Sequence, residues 1–328
     1  PVIFIYCLIL GLFGCTKSDD GEKAKTRDLV KLVYGSVPVT IEAPAHIAHY
    51  NKYFEDEGLD VELKINPDGK TSLEQLFEGT AQIIAVTGTP IVYASFHRSD
   101  FYIVGDIKHL NIHFCLARKD KRIRTVKDLK GKKIGLMKGT SADFFMDLFF
   151  AYNGITRSDV EIVEMNAPTM LESIVKGKID AMFCWQPWIL KAKKALGQNG
   201  VILPNEHIHI GSWVVIAMKT FADQHPEIIE KFIRAIVRAE KFMKENREKS
   251  IDIHAKVSGV HQEIAAALFD NIGPGISLDQ GLLDILEDQA RWAIRYGYTD
   301  RKQVPNYLDL IYFKALESVK PEAVTIIK

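Results

Sequence analysis

The sequence has no surplus of charge of either sign, because 42 Lys and Arg residues balance 42 Asp and Glu residues. A nucleic-acid-binding chain normally carries a basic surplus, so this balance argues against nucleic acid as a partner. Apolar residues make up 47 % of the 328 residues and charged residues 26 %. These fractions are close to globular averages and exclude a disordered chain, a collagen-like fibre and a polytopic membrane protein. The length suits one large domain or two lobes.

Cysteine is scarce as well. Of the four cysteines, Cys7 and Cys15 lie near the start, and only Cys115 and Cys184 lie in the body of the chain. Two cysteines so far apart do not make a disulfide framework, and no C-x-x-C motif is present. Both lie in apolar, strand-like segments, so we interpret them as small buried hydrophobic residues. The sequence leaves open whether they approach each other.

The usual sequence motifs of catalysis and phosphate binding are missing. No G-x-G-x-x-G, G-x-S-x-G or H-E-x-x-H motif occurs, and the segment from Gly135 to Thr140 lacks the spacing and the lysine of a P-loop. The close histidine pairs, such as His46 and His49, have no Cys or carboxylate neighbours at metal-ligand spacing. We therefore expect a protein that is not an enzyme and that holds neither a metal nor a cofactor.

One hydrophobic run stands at the start of the sequence. Val2 to Leu12 is almost wholly apolar, too short for the roughly 20 residues of a spanning helix but suited to the h-region of an export signal. The run ends in Leu12-Phe13-Gly14-Cys15, which resembles the bacterial lipoprotein box. This resemblance implies a signal segment over residues 1–15, lipidation of Cys15, and a polar, flexible tether over residues 16–28. The alternative is a buried apolar strand with a chance cysteine.

The body of the chain alternates strand-like and helix-like segments from Leu29 onward, and the pattern restarts near Val126. Such alternation is typical of parallel βαβ units, and its repetition predicts two similar α/β lobes. The chain is then mostly helical from Phe221. Among the predicted helices are Ala45–Glu57, Thr71–Phe77, Glu227–Glu245, Gln262–Asp270, Ser277–Arg295 and Asn306–Glu317.

Two predicted strands lead directly into helices through glycine and hydroxyl residues, at Gly88-Thr89-Pro90 and at Gly139-Thr140-Ser141. A helix start offers unpaired N–H groups, and these two lie at carboxyl ends of strands, where open α/β sheets bind ligands. Ordinary N-capping would explain either one alone. Their matching positions in two similar lobes favour a shared ligand cleft.

Several segments, taken in their order and spacing, resemble one protein family. The body resembles the extracytoplasmic solute-binding proteins of ABC importers, in the branch that includes nitrate, sulfonate, taurine and thiamine-pyrimidine-precursor binders. The resemblance covers nearly all of residues 29–318. The matching segments are Ala45–Leu63 (AHIAHYNKYFEDEGLDVEL), Gly79–Ala85 (GTAQIIA), Val126–Leu136 (VKDLKGKKIGL), Gly177–Ala181 before Trp185-Gln-Pro-Trp188, and His225-Pro-Glu227.

The resemblance implies a type II periplasmic-binding-protein fold, in which two α/β lobes joined by two strand crossings trap a ligand. The crossings would lie near Asn111–Leu116 and His209–Ile216. Lobe one would then comprise residues 29–112 and 210–328, with the C-terminal helices, and lobe two residues 113–209. The implied partners are a small-molecule solute, an ABC permease with its ATPase, and the membrane through the lipid anchor. A monomer that is periplasmic or exposed at the cell surface is expected.

The resemblance also assigns ligand contacts, residue by residue. The ligand is expected to be a small organic solute, such as an amino-sulfonate, an amine or a pyrimidine-like molecule, because Asp143 and Glu42 lie near the expected site and no Arg does. For Trp185 and Trp188, the alternative to ligand contact is ordinary packing in the core. The expected contacts are Ser36, Val37, Thr40, Gly88, Thr89, Pro90, Lys138, Gly139, Thr140, Ser141, Asp143, Trp185, Gln186 and Trp213.

Two other functions stay open at this point. One is an enzyme on the same fold, similar to the pyrimidine synthase of fungal thiamine biosynthesis; the export signal argues against it, since that enzyme is intracellular. The other is a receptor module that reports a ligand to a membrane sensor. Neighbouring genes for an ATPase and a permease would favour import over sensing.

Overall fold

A computed structural model describes residues 28–110, 113–205 and 210–328. The predicted signal segment, the lipidation site Cys15 and all of the predicted tether except Asp28 lie outside the described residues. Residues 111–112 and 206–209, which belong to the two predicted crossings, lie outside them too.

Two mixed β-sheets organise the described part of the chain. Its strands are β1 (Val30–Ser36), β2 (Leu59–Ile65), β3 (Ile83–Thr87), β4 (Phe101–Leu110), β5 (His113–Arg118), β6 (Lys133–Leu136), β7 (Glu161–Glu164), β8 (Ala181–Trp185), β9 (Gly200–Ile202), β10 (Ile210–Met218) and β11 (Ile272–Ser277). The first sheet has the order β11-β4-β10-β3-β1-β2, and the second has the order β7-β6-β8-β5-β9. We call the first sheet with its helices lobe one and the second with its helices lobe two.

Parallel pairing dominates one side of each sheet. Strand β1 runs parallel to β2 and β3, and β6 runs parallel to β7 and β8. The strands that follow a passage between the lobes run the other way: β10 is antiparallel to β3 and β4, and β5 is antiparallel to β8 and β9. The parallel strands therefore end at one edge of each sheet, where the loops that face the other lobe begin.

Helices cover the sheets and fill the C-terminal region. They are α1 (Ala43–Tyr50), α2 (Tyr53–Asp56), α3 (Gly69–Phe77), α4 (Gly88–Ser95), α5 (Ser141–Tyr152), α6 (Ala167–Val175), α7 (Trp188–Leu196), α8 (Lys219–Gln224), α9 (Pro226–Glu245), α10 (Arg247–Ser258), α11 (Gln262–Leu268), α12 (Gln280–Arg295) and α13 (Phe313–Val319). Within the described ranges, no helix combines the length and the apolar character needed to cross a membrane.

The predicted helix Ala45–Glu57 is wrong as a single element. It is divided into α1 and α2 at Lys52, whose backbone is left-handed with φ 59°. Gly58 follows α2 with φ +84°, a conformation that glycine adopts without a steric penalty, as expected for the residue that ends this segment. The predicted start at Thr71 is also wrong: α3 begins at Gly69, because the Asp68 side chain accepts a hydrogen bond from the Thr71 backbone N–H and caps the helix.

The C-terminal region departs from the prediction at two further points. Residues 272–277, which contain a Gly-Pro-Gly segment, form strand β11 on the edge of the first sheet beside β4. Helix α12 consequently begins at Gln280, three residues after the predicted Ser277. The predicted helix Asn306–Glu317 is instead a short 3-10 helix, Tyr307–Leu310, followed by α13.

Each lobe has its own apolar core. In lobe one, Phe54 and Tyr34 both pack against Phe232 of α9, with ring centroids 5.2 Å apart in each pair. In lobe two, the ring of Phe183 on β8 contacts the rings of Phe145, Phe149 and Phe150 of α5. Each aromatic side chain buries a large apolar area, so these ring contacts contribute strongly to both cores.

The two cysteines of the body are free and buried on neighbouring strands. Cys115 lies on β5 and Cys184 on β8. Burial raises the pKa of both thiols above the ordinary value, so both are neutral at physiological pH and behave as small apolar residues. This matches the interpretation drawn from their apolar surroundings in the sequence.

Candidate functional site

A pocket opens between the two lobes, at the ends of strands from both sheets. Lobe one contributes the loops after β1 and β2, the end of β3, the start of α4 and part of β10. Lobe two contributes the start of β5, the loop after β6, the start of α5 and the end of β8. The empty space is about 520 Å³ with its open mouth included. We call this pocket the cleft.

Some of the residues predicted to contact ligand line the cleft. Trp213 on β10 and Trp185 at the end of β8 supply aromatic surface from the two lobes, and the hydroxyl residues at the start of α5 lie on the lobe-two side. Their contact with a ligand stays a prediction. The predicted residues among the lining are Val37, Pro90, Thr140, Ser141, Trp185 and Trp213.

The other predicted residues of lobe one lie beside the cleft rather than in its lining. The Ser36 hydroxyl lies 3.0 Å from Nε2 of His46, and Thr40 is buried in a 3-10 turn. Gly88 packs so closely against Gln289 that a Cβ there would lie 3.1 Å from Oε1 of that side chain. Thr89 is fully buried, and within the described chain its hydroxyl has no hydrogen-bond partner.

Three predicted polar side chains of lobe two, those of Lys138, Asp143 and Gln186, already bind other groups of the protein. Lys138 and Gly139 line a shallower neighbouring groove, and Lys138 pairs with Glu164 at 3.3 Å. Asp143 is fully buried and accepts a 2.9 Å hydrogen bond from the Gly139 backbone N–H. Gln186 accepts a 3.1 Å hydrogen bond from the Leu190 backbone N–H. The side chains of Asp143 and Gln186 therefore serve the start of α5 and the start of α7.

Several cleft residues escaped prediction from the sequence. Asp68 at the end of the loop after β2 and Lys70 in the first turn of α3 line the cleft, and their side chains are a carboxylate and an ammonium group. His113 and Met137 complete the lobe-two side, and Nε2 of His113 lies 2.7 Å from the Ser141 hydroxyl. The position of Asp68 in the loop after a predicted strand was the available signal, since ligands bind at such ends; the sequence indicated only a turn there.

Replacing Asp68 by alanine should lower the free energy of unfolding by about 1 kcal/mol, because the N-cap of α3 is lost. Asp68 accepts hydrogen bonds from the Thr71 backbone N–H at 3.0 Å and from its hydroxyl at 3.2 Å. Urea denaturation of D68A measures the loss. The matched control is N166A, which removes the N-cap of α6, where Asn166 accepts from the Thr169 N–H at 3.0 Å. An unchanged stability of D68A beside a destabilised N166A would contradict this role of Asp68.

A polar cluster joins the lobes beside the cleft. Arg157 of lobe two binds Asp147 of α5 through two hydrogen bonds of 2.7 and 2.8 Å, and it also pairs with Asp143. From lobe one, Trp292 of α12 donates its indole N–H to Asp147 at 2.6 Å. The Arg157 guanidinium lies 5.6 Å from the ring centroid of Tyr298 of lobe one. Burial opposes the charge of Arg157, but the two aspartates outweigh it and raise its pKa.

A buried carboxyl group lies behind the lobe-one wall of the cleft. Glu42 is 1 % exposed, and it accepts hydrogen bonds from the Trp213 indole N–H at 2.9 Å and from the Tyr34 hydroxyl at 2.8 Å. Burial raises the pKa of Glu42 to about 7, although the hydrogen bonds from Tyr34, Trp213 and Ser36 act against this shift. In the described ranges, no ion pair joins Glu42 to a basic side chain.

A chain of side chains leads from Glu42 into the body of lobe one. The Ser36 hydroxyl lies between Glu42 and His46, and Nδ1 of His46 lies 2.9 Å from Nδ1 of His254 on α10. Because an ionised carboxylate only accepts, Ser36 then donates to Glu42, His46 donates to Ser36, and His254 donates to His46. Burial lowers the pKa of His254 to about 4 and that of His46 well below its ordinary value, so both rings are neutral at physiological pH.

Comparison with protein families matches residues 41–250 to a family described as NMT1/THI5 like. The matched range holds β2 to β10 and most of the cleft.

Curated relatives are similar at low identity. A Brucella abortus (strain 2308) protein provisionally named a binding protein is 24 % identical over 216 residues, 64 % of this chain. The chain spans 66 % of the length of that protein, just under two thirds. A Bacillus subtilis (strain 168) protein provisionally named an aliphatic sulfonates-binding protein is 23 % identical over 328 residues, with 96 % of each chain covered. The taurine-binding periplasmic protein of Escherichia coli (strain K12) is 25 % identical and covers 62 % of this chain and 63 % of its own length.

Solved structures share the fold. The periplasmic aliphatic sulphonate binding protein SsuA from Escherichia coli matches with a TM-score of 0.75 at 18 % identity, covering 87 % of this chain and 98 % of that chain. SsuA from Xanthomonas axonopodis pv. citri, bound to MOPS, matches with a TM-score of 0.76 at 19 % identity over 87 % and 99 %. The desulfurization enzyme DSZB also matches, with a TM-score of 0.65 at 15 % identity over 89 % and 99 %. At these identities the likeness concerns the fold alone, and it confirms the predicted periplasmic-binding-protein fold.

Proposed function

The chain belongs to the NMT1/THI5-like family, and from this premise we propose that it is a solute-binding protein that captures a small organic molecule in the cleft for an ABC importer. The observation that carries the proposal is that the cleft is lined by both lobes, with one tryptophan from each. A ligand held there touches both lobes at once, so its binding favours the closed arrangement through contacts that the open one lacks.

The lining suits a ligand with an apolar body and charged ends. Trp185, Trp213 and Met137 offer apolar and aromatic surface, which buries a short carbon chain or a planar ring. Asp68 and Lys70 place one negative and one positive group on the same side of the cleft. Neutral hydrogen-bonding groups of the lining include the hydroxyls of Thr140 and Ser141.

We propose an amino-sulfonate as the leading ligand chemistry. Lys70 would attract the sulfonate and Asp68 the ammonium group of such a zwitterion, while the tryptophans cover the carbon atoms between them. Support comes from relatives whose names state taurine binding and aliphatic sulfonate binding. Amines and pyrimidine-like molecules are the alternative ligands. Like an amino-sulfonate, they carry N–H donors and an apolar part that the tryptophans could cover.

The hydrogen bond from Trp292 to Asp147 supports closure of the cleft around such a ligand. It joins α12 of lobe one to α5 of lobe two, and α5 begins with the cleft residues Ser141 and Thr140. Separation of the lobes would break this contact and expose Asp147 to water. A bound ligand and the hydrogen bond from Trp292 to Asp147 would therefore stabilise the same closed arrangement of the lobes.

We also propose the partners and the location that such a role requires. A permease with its ATPase would receive the solute, and the protein would lie outside the cytoplasm, as the name of the Escherichia coli taurine-binding relative states for that protein. Lipid attachment at Cys15 belongs to the same proposal and rests on the sequence pattern Leu12-Phe13-Gly14-Cys15.

We propose binding without chemical conversion, although two similar proteins are enzymes. A pyrimidine phosphate synthase of Aspergillus parasiticus is 24 % identical over 61 % of this chain and 62 % of its own length, and DSZB shares the fold. Here both thiols of the body lie in the lobe-two core rather than in the cleft, and their raised pKa disfavours the nucleophilic thiolate.

A thermal-shift screen of refolded, unliganded protein tests the proposal. Taurine, butanesulfonate, butylamine, an aminopyrimidine and nitrate are compared, and taurine is expected to give the largest rise in Tm. Calorimetric titration then gives the Kd, and mass spectrometry of the recovered taurine checks that it is unchanged. W185A should weaken taurine binding by about 10-fold, because a cleft wall is removed.

The matched control for this variant is W188A. Trp188 lies three residues further on, at the start of α7 and outside the lining of the cleft, so its removal should leave the Kd of taurine unchanged. Stabilisation by nitrate and butanesulfonate without stabilisation by taurine, amines or pyrimidines would contradict the proposed ligand chemistry. Equal losses in W185A and W188A would contradict the proposed site.

A further inference from the structure

Trp213 is held from two directions by carboxyl groups that do not themselves line the cleft. Asp106 of β4 accepts a 3.0 Å hydrogen bond from the Trp213 backbone N–H, which fixes the strand. Glu42 accepts the 2.9 Å hydrogen bond from the indole N–H, which fixes the ring. Trp213 lines the cleft, so the hydrogen bond from its indole to Glu42 fixes the orientation of a cleft-lining side chain.

We propose that Glu42 is a positioning residue of the ligand site, which holds the Trp213 indole as a wall of the cleft with a strength that follows the protonation of its own carboxyl group. The effect on ligand affinity rests on the function proposed above, whereas the effect on the indole does not.

The geometry gives the carboxylate and the acid different capacities. As a carboxylate, Glu42 offers acceptors to Trp213, Tyr34 and Ser36 together, and hydrogen bonds to an ionised acceptor are the stronger ones. As an acid, it has a proton of its own to donate, so one of these donors loses a good acceptor. The hold on the indole is therefore tighter when the carboxyl group is ionised.

The buried position brings this change into the physiological range. The raised pKa of Glu42, about 7, means that the two forms exchange near neutral pH. Three groups linked to it do not titrate there, since burial lowers the pKa of His46 and His254 and raises that of Tyr34. Further titratable groups on nearby elements include His49 on α1, Asp106 on β4, which binds the Trp213 backbone, Glu240 on α9, which pairs with Lys320, and Asp270 after α11, which pairs with Arg247.

The first arm of the test observes the indole without any ligand. The protein has four tryptophans, so a sample labelled with ¹⁵N at the indole nitrogens gives one signal for each, and W213F identifies the signal of Trp213 by its loss. Between about pH 5 and pH 9 that signal should move with a midpoint at about 7. In E42Q, which keeps an acceptor for the indole but does not ionise, it should stay in place. A signal that does not move, or that moves equally in E42Q, overturns the proposal.

The second arm measures the Kd of taurine, chosen because it has no net charge. The wild-type protein should bind it about 3- to 10-fold more tightly at pH 8.5 than at pH 5.5, and E42Q should lose this difference. W213F separates positioning from direct charge effects: it should lose the difference too, whereas a difference that persists in W213F overturns the proposal. Failure to bind taurine at any pH contradicts the proposed ligand, and the indole titration alone then decides the role of Glu42.

Discussion

Replacement of Arg157 by alanine should lower the free energy of unfolding by about 3 kcal/mol, because two buried carboxylates would lose their cation. The side chains of Asp143 and Asp147 are 0 % and 4 % exposed, whereas that of Arg157 is 21 % exposed. In the described part of the chain, no other basic side chain pairs with either aspartate. Trp292 and the Gly139 N–H would still donate to them, but neither carries a compensating charge. Urea denaturation of R157A measures the loss.

A surface arginine provides the matched control for this prediction. Arg291 also binds two carboxylates, Glu287 and Asp288, but its side chain is 57 % exposed, so R291A should unfold like the wild-type protein. R157K keeps the charge without the planar fork and should fall between R157A and wild type. Equal effects of R157A and R291A would show that burial of the cluster contributes nothing.

The stability of the protein should respond to pH in opposite directions through Glu42 and His254. The pKa of Glu42 is raised to about 7 in the folded protein, so only the unfolded chain loses this proton as pH rises from 4.5, and stability falls by about 3 kcal/mol by pH 7. The pKa of His254 is lowered to about 4. Only the unfolded chain therefore gains this proton as pH falls from 6.5, and stability falls by about 3 kcal/mol by pH 4.

The contributions of Glu42 and His254 oppose each other between pH 4.5 and 6.5, and His46, whose pKa is also lowered, acts in the same direction as His254, so variants are needed to separate them. Urea denaturation across this range should show that E42Q gains stability relative to wild type as pH rises. The variant lacks the Glu42 carboxyl group, which makes the wild-type protein less stable as pH rises. H254Q, which still offers a donor to His46, should lose stability relative to wild type over the same rise. Differences of the same sign in both variants would contradict the assigned protonation states.

Much of the fold could be predicted from the sequence, because many of its strands and helices are indicated by short local patterns. The period-two pattern of Leu59–Ile65 gives β2, and glycine with hydroxyl residues after a strand gives the starts of α4 and α5. The family resemblance supplied the arrangement of the lobes. The left-handed Lys52 and the edge strand β11 were not accessible, because tertiary packing decides whether a helix breaks or a Gly-Pro-Gly segment joins a sheet.

The candidate site was accessible only in part, for a related reason. Thr140 and Ser141 come shortly after β6, and Trp185 is the last residue of β8, so their place at the cleft could be inferred from topology alone. The environment of Asp143 could not, since Arg157 lies fourteen residues further on and meets it only in the folded lobe. The sequence suggested a carboxylate free to meet a ligand nitrogen, whereas the structure surrounds it with protein donors.

The place of β10 in the first sheet has a consequence for biosynthesis. This strand lies between β3 and β4, yet it is translated only after the whole of β5 to β9. A nascent chain that ends before residue 210 has the partners of β10 but not the strand itself, whereas all strands of the second sheet are continuous in sequence. The second sheet should therefore mature first on the ribosome, while exposed edges of the first await their central strand and are vulnerable to aggregation.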